Sequence, residues 1–105
     1  MTPDATWWLY LILCGDTSIY TGIAVDVSRR LAEHRAGAPR GARYLRGRGP
    51  LRLLAAVPVG TRAQASRAEY WIKRCSAEQK RTFARDPTAL WARVAELKDV
   101  GKDAD

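Results

Sequence analysis

The apolar positions of this 105-residue chain change their period along its length, and the changes mark its elements. Residues 7–13, Trp-Trp-Leu-Tyr-Leu-Ile-Leu, form a short apolar run rich in aromatics. Gly15-Asp16-Thr17-Ser18 is turn chemistry, and Ile19-Tyr20-Thr21-Gly22-Ile23 resumes the run, so the segment predicts a β-hairpin. Asp26 is a good N-cap for a helix over 27–36, with Ala24, Val27 and Leu31 turned inward and Gly37 placed to end it.

From Gly37 to Pro50 glycine, proline and arginine dominate without a sustained apolar period, which predicts a long surface loop. Long loops in compact domains usually carry function or motion. Residues 51–57, between Pro50 and Pro58, read as the third strand. Gly60-Thr61 opens a helix in which Ala65, Ala68, Ile72 and Cys75 recur as a core-facing stripe. Ser76 with Gln79 is a capping box that starts a short helix. Asp86-Pro87 starts a last one, striped by Leu90, Trp91, Val94 and Leu97. Trp7, Trp8, Trp71 and Trp91 read as core or edge aromatics. The order β-β-α-β-α-α-α predicts one α/β domain of the α+β kind over residues 1–100, a small three-stranded antiparallel sheet flanked by helices, followed by a polar tail over 101–105.

A chain this short builds one core and has no room for a second catalytic domain. No apolar run approaches the ~20 residues of a membrane span, and Met1-Thr2-Pro3-Asp4 lacks the features of a secretory signal, so the expectation is a cytoplasmic protein away from membranes. Cys14 and Cys75 have no zinc-site spacing and read as reduced core thiols. The single histidine, His34, excludes a multi-histidine metal site.

Net charge is +7, and its location says more than its size. Residues 29–52 hold eight arginines against one acid, Glu33, whereas the rest of the chain balances ten basic residues with ten acidic ones. Fourteen arginines against four lysines reflect a compositional preference, but a preference does not explain clustering. A localised basic patch fits a polyanionic partner, DNA or RNA.

Several side chains have the chemistry to act on a phosphodiester, which needs a base for water, positive charge for the transition state and help for the leaving oxygen. Arg30 and His34 are four residues apart and share a helix face, whereas Arg29 faces about 100° away. Arg30 can grip a phosphate with its planar fork. His34 can assist proton transfer, hold a phosphate or serve as a structural hydrogen-bonding group. Glu69, at the edge of a buried stripe, can offer one carboxylate to Mg²⁺ or form a surface ion pair with Lys73. Tyr10 and Tyr20 form either an aromatic core pair or a catalytic pair, and they share a sheet face only if the hairpin connection is odd in length or bulged. Gly22 allows backbone or substrate to approach beside Tyr20. Tyr44, among arginines, can stack on a splayed base or pack on the domain.

Taken together, Trp8-Leu9-Tyr10, Tyr20-Thr21-Gly22, the run from Asp26 to His34, Gly41-Ala42-Arg43-Tyr44-Leu45-Arg46-Gly47 and the run from Arg67 to Lys73 resemble, in order and spacing, a GIY-YIG nuclease of the small stand-alone bacterial (UPF0213-like) kind, over roughly residues 7–80. The resemblance implies Mg²⁺- or Mn²⁺-dependent cleavage of DNA. By the same resemblance Glu69 is the metal-binding residue, Arg30 the arginine required for cleavage, Tyr10 the general base, and Tyr20 the residue orienting water or phosphate. Arg29, Arg35, Arg40, Arg43, Tyr44, Arg46 and Arg48, with Gly22, are the expected nucleic-acid contacts. The first glycine of the family name is absent, and Leu45 stands where a threonine is common, removing one possible phosphate hydrogen bond. Without a recognition domain, sequence-specific cutting is not expected, because phosphate contacts position a protein without reading bases. The rival reading is a non-catalytic nucleic-acid-binding module, or a subunit that cuts only beside a protein partner.

Overall fold

The computed structural model describes residues 5–37 and 40–98; the N-terminal four residues, Ala38-Pro39 and the tail expected over 101–105 lie outside the described residues. Its sheet has three antiparallel strands, β1 (Trp7–Leu13), β2 (Ile19–Ala24) and β3 (Arg52–Gly60), in the order β2-β1-β3. Around it stand α1 (Val27–Ala36), α2 (Arg62–Lys73), α3 (Ala77–Arg85) and α4 (Pro87–Lys98), with one 3-10 turn at Arg43–Leu45. This is the expected α+β architecture.

Five residues, 14–18, connect β1 to β2. Cys14 N–H donates to the Ser18 carbonyl, the Asp16 carboxylate accepts from the Ser18 amide and hydroxyl, and Thr17 takes a left-handed φ of 70° to close the turn. The odd connection sets a register in which Tyr10 faces Gly22 and Ile12 faces Tyr20, so the two tyrosines lie on the same side of the sheet.

Alternation along β1 supplies two cores. Leu9 and Leu11 join Ala55, Val57 and Val59 beneath Ala65, Ala68 and Ile72 of α2 and Leu90, Val94 and Leu97 of α4. Tyr10 and Ile12 join Cys14, Ala24, Leu45 and Leu51 on the other face, with Val27 and Leu31 of α1 partly buried against them. Helix ends follow their side chains. Asp26 accepts from Arg29 N–H, Thr61 with Gln64 and Ser76 with Gln79 form complete capping boxes, and Asp86 accepts from Ala89 N–H.

The structure departs from the sequence reading in four places. β3 starts at Arg52 and continues through Pro58 to Gly60, because β3 is an edge strand and a proline there can turn its donor-less side to solvent. Trp91 is 54% exposed and so stands outside the core stripe of α4, whereas Trp71, 43% exposed, fits the edge alternative. Cys75 lies just past the end of α2 and is only partly buried. The segment before β3 is no free surface loop. Leu45 and Leu51 are buried, Gly15 N–H donates to the Arg48 carbonyl, and the Arg48 guanidinium pairs with Asp16, so the segment is pinned to the hairpin turn.

Candidate active site

The even-numbered face of β1 and β2 delivers Tyr10 and Tyr20 to the same neighbourhood, with ring centroids 6.3 Å apart. α1, started by Asp26, brings Arg30 and His34 over them one turn apart. His34 is buried, and its Nε2 lies 2.9 Å from the Tyr10 hydroxyl. Its Nδ1 accepts a 3.1 Å hydrogen bond from the Ala42 amide. An imidazole nitrogen that accepts an N–H carries no proton, so the proton of the neutral ring is on Nε2 and the ring donates to Tyr10. His34 meets Tyr20 edge-on at 5.6 Å.

Tyr10 reaches this position because β2 has no side chain at residue 22. A β-carbon on Gly22 would lie 2.5 Å from Tyr10 Cζ and closer still to its hydroxyl, so the phenol occupies the space that the sequence alone leaves open to substrate. Gly22 is therefore a hole for Tyr10.

Burial pushes the Tyr10 hydroxyl well above the usual tyrosine range, Tyr20 and Glu69 push it the same way, and Arg30 opposes them. Tyr20 is raised for the same first reason, burial, with Glu69 adding to it and Arg30 again opposing. Burial lowers the His34 pKa, as does the positive charge of Arg30, which keeps the ring neutral. Glu69 therefore acts on both tyrosines although it stands on α2. Its carboxylate also pairs with Lys73 at 3.4 Å, and the Lys73 ammonium lies 6.0 Å from the Tyr20 ring centroid. In the sequence Lys73 is legible only as an ion-pair partner; its i,i+4 spacing to Glu69 is the signal that it borders the site.

The arginines separate into two groups. Arg30 donates to Glu33 at 3.0 Å and to the Arg40 carbonyl at 2.6 Å. Arg35 donates through Nε and Nη2 to the Leu51 carbonyl, tying α1 to the start of β3. Arg48 binds Asp16 and the Tyr44 carbonyl and lies 4.2 Å from the Tyr44 ring centroid. Tyr44 also stacks on Tyr20 at 5.8 Å while remaining 45% exposed. Arg29, Arg40, Arg43 and Arg46 are exposed, and Arg29 keeps only a loose 3.7 Å contact with Glu33. The structure thus gathers Tyr10, Tyr20, Arg30, His34 and Glu69, ties Arg35, Arg48 and Tyr44 to their neighbours by hydrogen bonds or ring contacts, and leaves Arg29, Arg40, Arg43 and Arg46 exposed.

Residues 6–82 match the family model of the GIY-YIG catalytic domain. The chain belongs to the GIY-YIG family. It is 49% identical over 83 residues to a UPF0213 protein of Cupriavidus necator, an alignment covering 79% of this chain and 88% of that protein. It is 49% identical over 80 residues to the UPF0213 protein YhbQ of Escherichia coli, covering 76% and 75% respectively. Among solved structures, the solution NMR structure of the protein EF2693 from E. faecalis is similar at 31% identity and a TM-score of 0.54, over 81% of this chain and 88% of that one.

The two motifs that name the GIY-YIG family are here Trp8-Leu9-Tyr10 and Tyr20-Thr21-Gly22. Thr21 pairs with Leu11 on the opposite face, and its buried hydroxyl has no hydrogen-bond partner among the described residues. No helix among the described residues is long and apolar enough to cross a membrane.

Proposed function

We propose that this chain is a divalent-metal-dependent endonuclease that hydrolyses DNA phosphodiester bonds, selecting its substrate by structure rather than sequence. The observation carrying this reading is the convergence on one phenolic oxygen. Tyr10 Oη receives a hydrogen bond from His34 Nε2 and lies in the opposed fields of Arg30 and Glu69.

The chain's own groups divide the work. Tyr10, as phenolate, takes a proton from the attacking water; hydroxide adds to phosphorus in line as the bond to the leaving oxygen breaks, and that oxygen departs with the electron pair and is protonated by water. Arg30 neutralises charge on the non-bridging oxygens, and Tyr20 orients the water or the phosphate. His34 stays neutral and donates to Tyr10, which favours the phenolate. Burial first, then Tyr20 and Glu69, oppose that ionisation, so loss of the Tyr10 proton calls for positive charge at the site beyond that of Arg30.

That requirement suits a cation at Glu69. Among the described residues no group of three or more His, Cys, Asp or Glu forms a protein cage for a metal. A single carboxylate suits Mg²⁺ or Mn²⁺, which bind through one or two carboxylates and complete their shell with water and phosphate. The competing Glu69–Lys73 pair is partly exposed, and such i,i+4 pairs are worth only ~0.3–0.5 kcal/mol. When bound, the metal supplies positive charge to the phosphate and the nucleophile.

Arg29, Arg40, Arg43 and Arg46 are the groups available to follow a phosphate backbone. The observation favouring a non-catalytic binding module is the burial that keeps Tyr10 protonated. The deciding experiment incubates purified protein with labelled duplex, nicked, forked and single-stranded DNA and a matched RNA, with Mg²⁺ or chelator. It includes the variants Glu69→Ala and Arg30→Ala. Metal-dependent cutting lost in both variants, with binding retained, supports the nuclease; binding without cutting on every substrate supports the module or a partner-dependent subunit.

A further inference from the structure

The backbone of residues 40–42 touches two functional side chains at once. The Arg40 carbonyl accepts from Arg30 Nη1 at 2.6 Å, and the Ala42 amide donates to His34 Nδ1 at 3.1 Å. Both contacts come from a stretch without regular structure, immediately before the 3-10 turn, and that stretch is anchored by burial of Leu45. The same stretch presents Arg40 and Arg43 outward.

We propose that this backbone segment is a positioning element of the site, in which the Ala42 N–H selects the His34 tautomer and thereby sets the direction of the hydrogen bond at Tyr10. With Nδ1 occupied as an acceptor, Nε2 carries the proton and donates to Tyr10 Oη, leaving the phenolic O–H to point elsewhere. Without the Ala42 donor, the other tautomer becomes available. Nε2 then accepts, the Tyr10 O–H is consumed by His34, and the phenolate loses its histidine donor, keeping only that of Arg30. The chain's single histidine is thus a directional relay between the loop and Tyr10, and no proton leaves His34 in the process. The tautomer statement stands on the two hydrogen bonds alone; its effect on cleavage rests on the nuclease reading above.

The two parts are tested separately. The first uses ¹⁵N-labelled wild-type protein at neutral pH. The expected result is a neutral His34 ring protonated at Nε2, with a through-hydrogen-bond nitrogen–nitrogen coupling between Ala42 N and His34 Nδ1. A ring protonated at Nδ1, a tautomer mixture or a missing coupling overturns the proposal whether or not the protein cuts DNA.

The second part uses Ala42→Pro, because Ala42 has φ −63°, already suited to proline, and the substitution removes this N–H. Replacement of Ala42 by its α-hydroxy acid removes the same donor without added bulk and stands in where proline disturbs the loop. Expected are appearance of the Nδ1-protonated tautomer and a fall in single-turnover cleavage at saturating DNA of about 10²-fold, with DNA affinity unchanged. An unchanged tautomer in the α-hydroxy-acid protein overturns the proposal. A changed tautomer with full cleavage keeps the relay but removes its catalytic consequence, and absence of cleavage in the wild type defeats the nuclease reading alone.

Discussion

Tyr10 lies directly across Gly22: the phenol fills the space that any β-carbon at position 22 would claim. Gly22→Ala is therefore expected to displace Tyr10 from His34 and to cost about 1–3 kcal/mol, the usual range for overpacking a core. Urea denaturation checks the stability, and the His34 ring signals check the displacement. In the double variant Tyr10→Ala, Gly22→Ala the glycine substitution should cost little, a non-additivity that identifies the tyrosine as the obstacle.

Tyr10→Phe keeps the ring and removes only the hydroxyl, so the fold should survive while single-turnover cleavage falls by about 10²–10⁴-fold, the range for loss of a general base. Tyr20→Phe should leave a measurable rate. A Tyr10→Phe protein that cleaves at the wild-type rate would remove the base from this residue.

The outward arginines and the structural ones should separate by experiment. Arg43→Ala with Arg46→Ala should weaken DNA binding and flatten its salt dependence, the log–log slope shrinking by ~0.9 for each phosphate no longer neutralised, with saturated single-turnover cleavage nearly intact. Arg35→Ala and Arg48→Ala should instead lower stability, since their guanidinium groups hold the Leu51 carbonyl, Asp16 and Tyr44. Thermal melts combined with binding titrations at several salt concentrations distinguish the two classes.

Stability should depend on pH through two groups with opposite signs. The folded His34 pKa is below the 6.5 of the free side chain, so the unfolded chain binds more protons in that window and stability is lost as pH falls below about 6.5. Tyr10 and Tyr20 are raised above their ordinary value of 10.0, so the unfolded chain releases protons first and stability declines as pH rises past about 10. Denaturation midpoints across pH, with His34→Gln expected to flatten the acid limb and Tyr10→Phe to soften the alkaline one, check both signs.

Thr21→Val should raise stability by about 1 kcal/mol, because it removes a buried hydroxyl that has no hydrogen-bond partner among the described residues. A lower melting temperature would show that the hydroxyl is satisfied in solution.

Much of the fold could be read from the chain because its signals are local and periodic. The turn chemistry of 15–18, the Asp26 cap and the Ser76–Gln79 box each act within a few residues, and the structure has all three. The shared face of Tyr10 and Tyr20 depended only on the parity of the hairpin connection. Other features depend on which elements meet. Leu45 is the single buried position among the described residues 40–50, so no pattern announces its burial. Arg35 and Arg48 have the same composition signal as Arg43 and Arg46, and only tertiary contacts separate them. Pro58 continues a strand because β3 is at the edge of the sheet, which the strand order decides. The contacts of Arg40 and Ala42 are made by backbone atoms that every non-proline residue possesses, so residue type could not reveal them.

Because β1 is the central strand and feeds alternate side chains to both cores, Tyr10 is bonded into the part of the molecule that opens last. Frayed ends and local openings leave it in place. Loss of the packed Tyr10 ring environment on warming should therefore coincide with global melting.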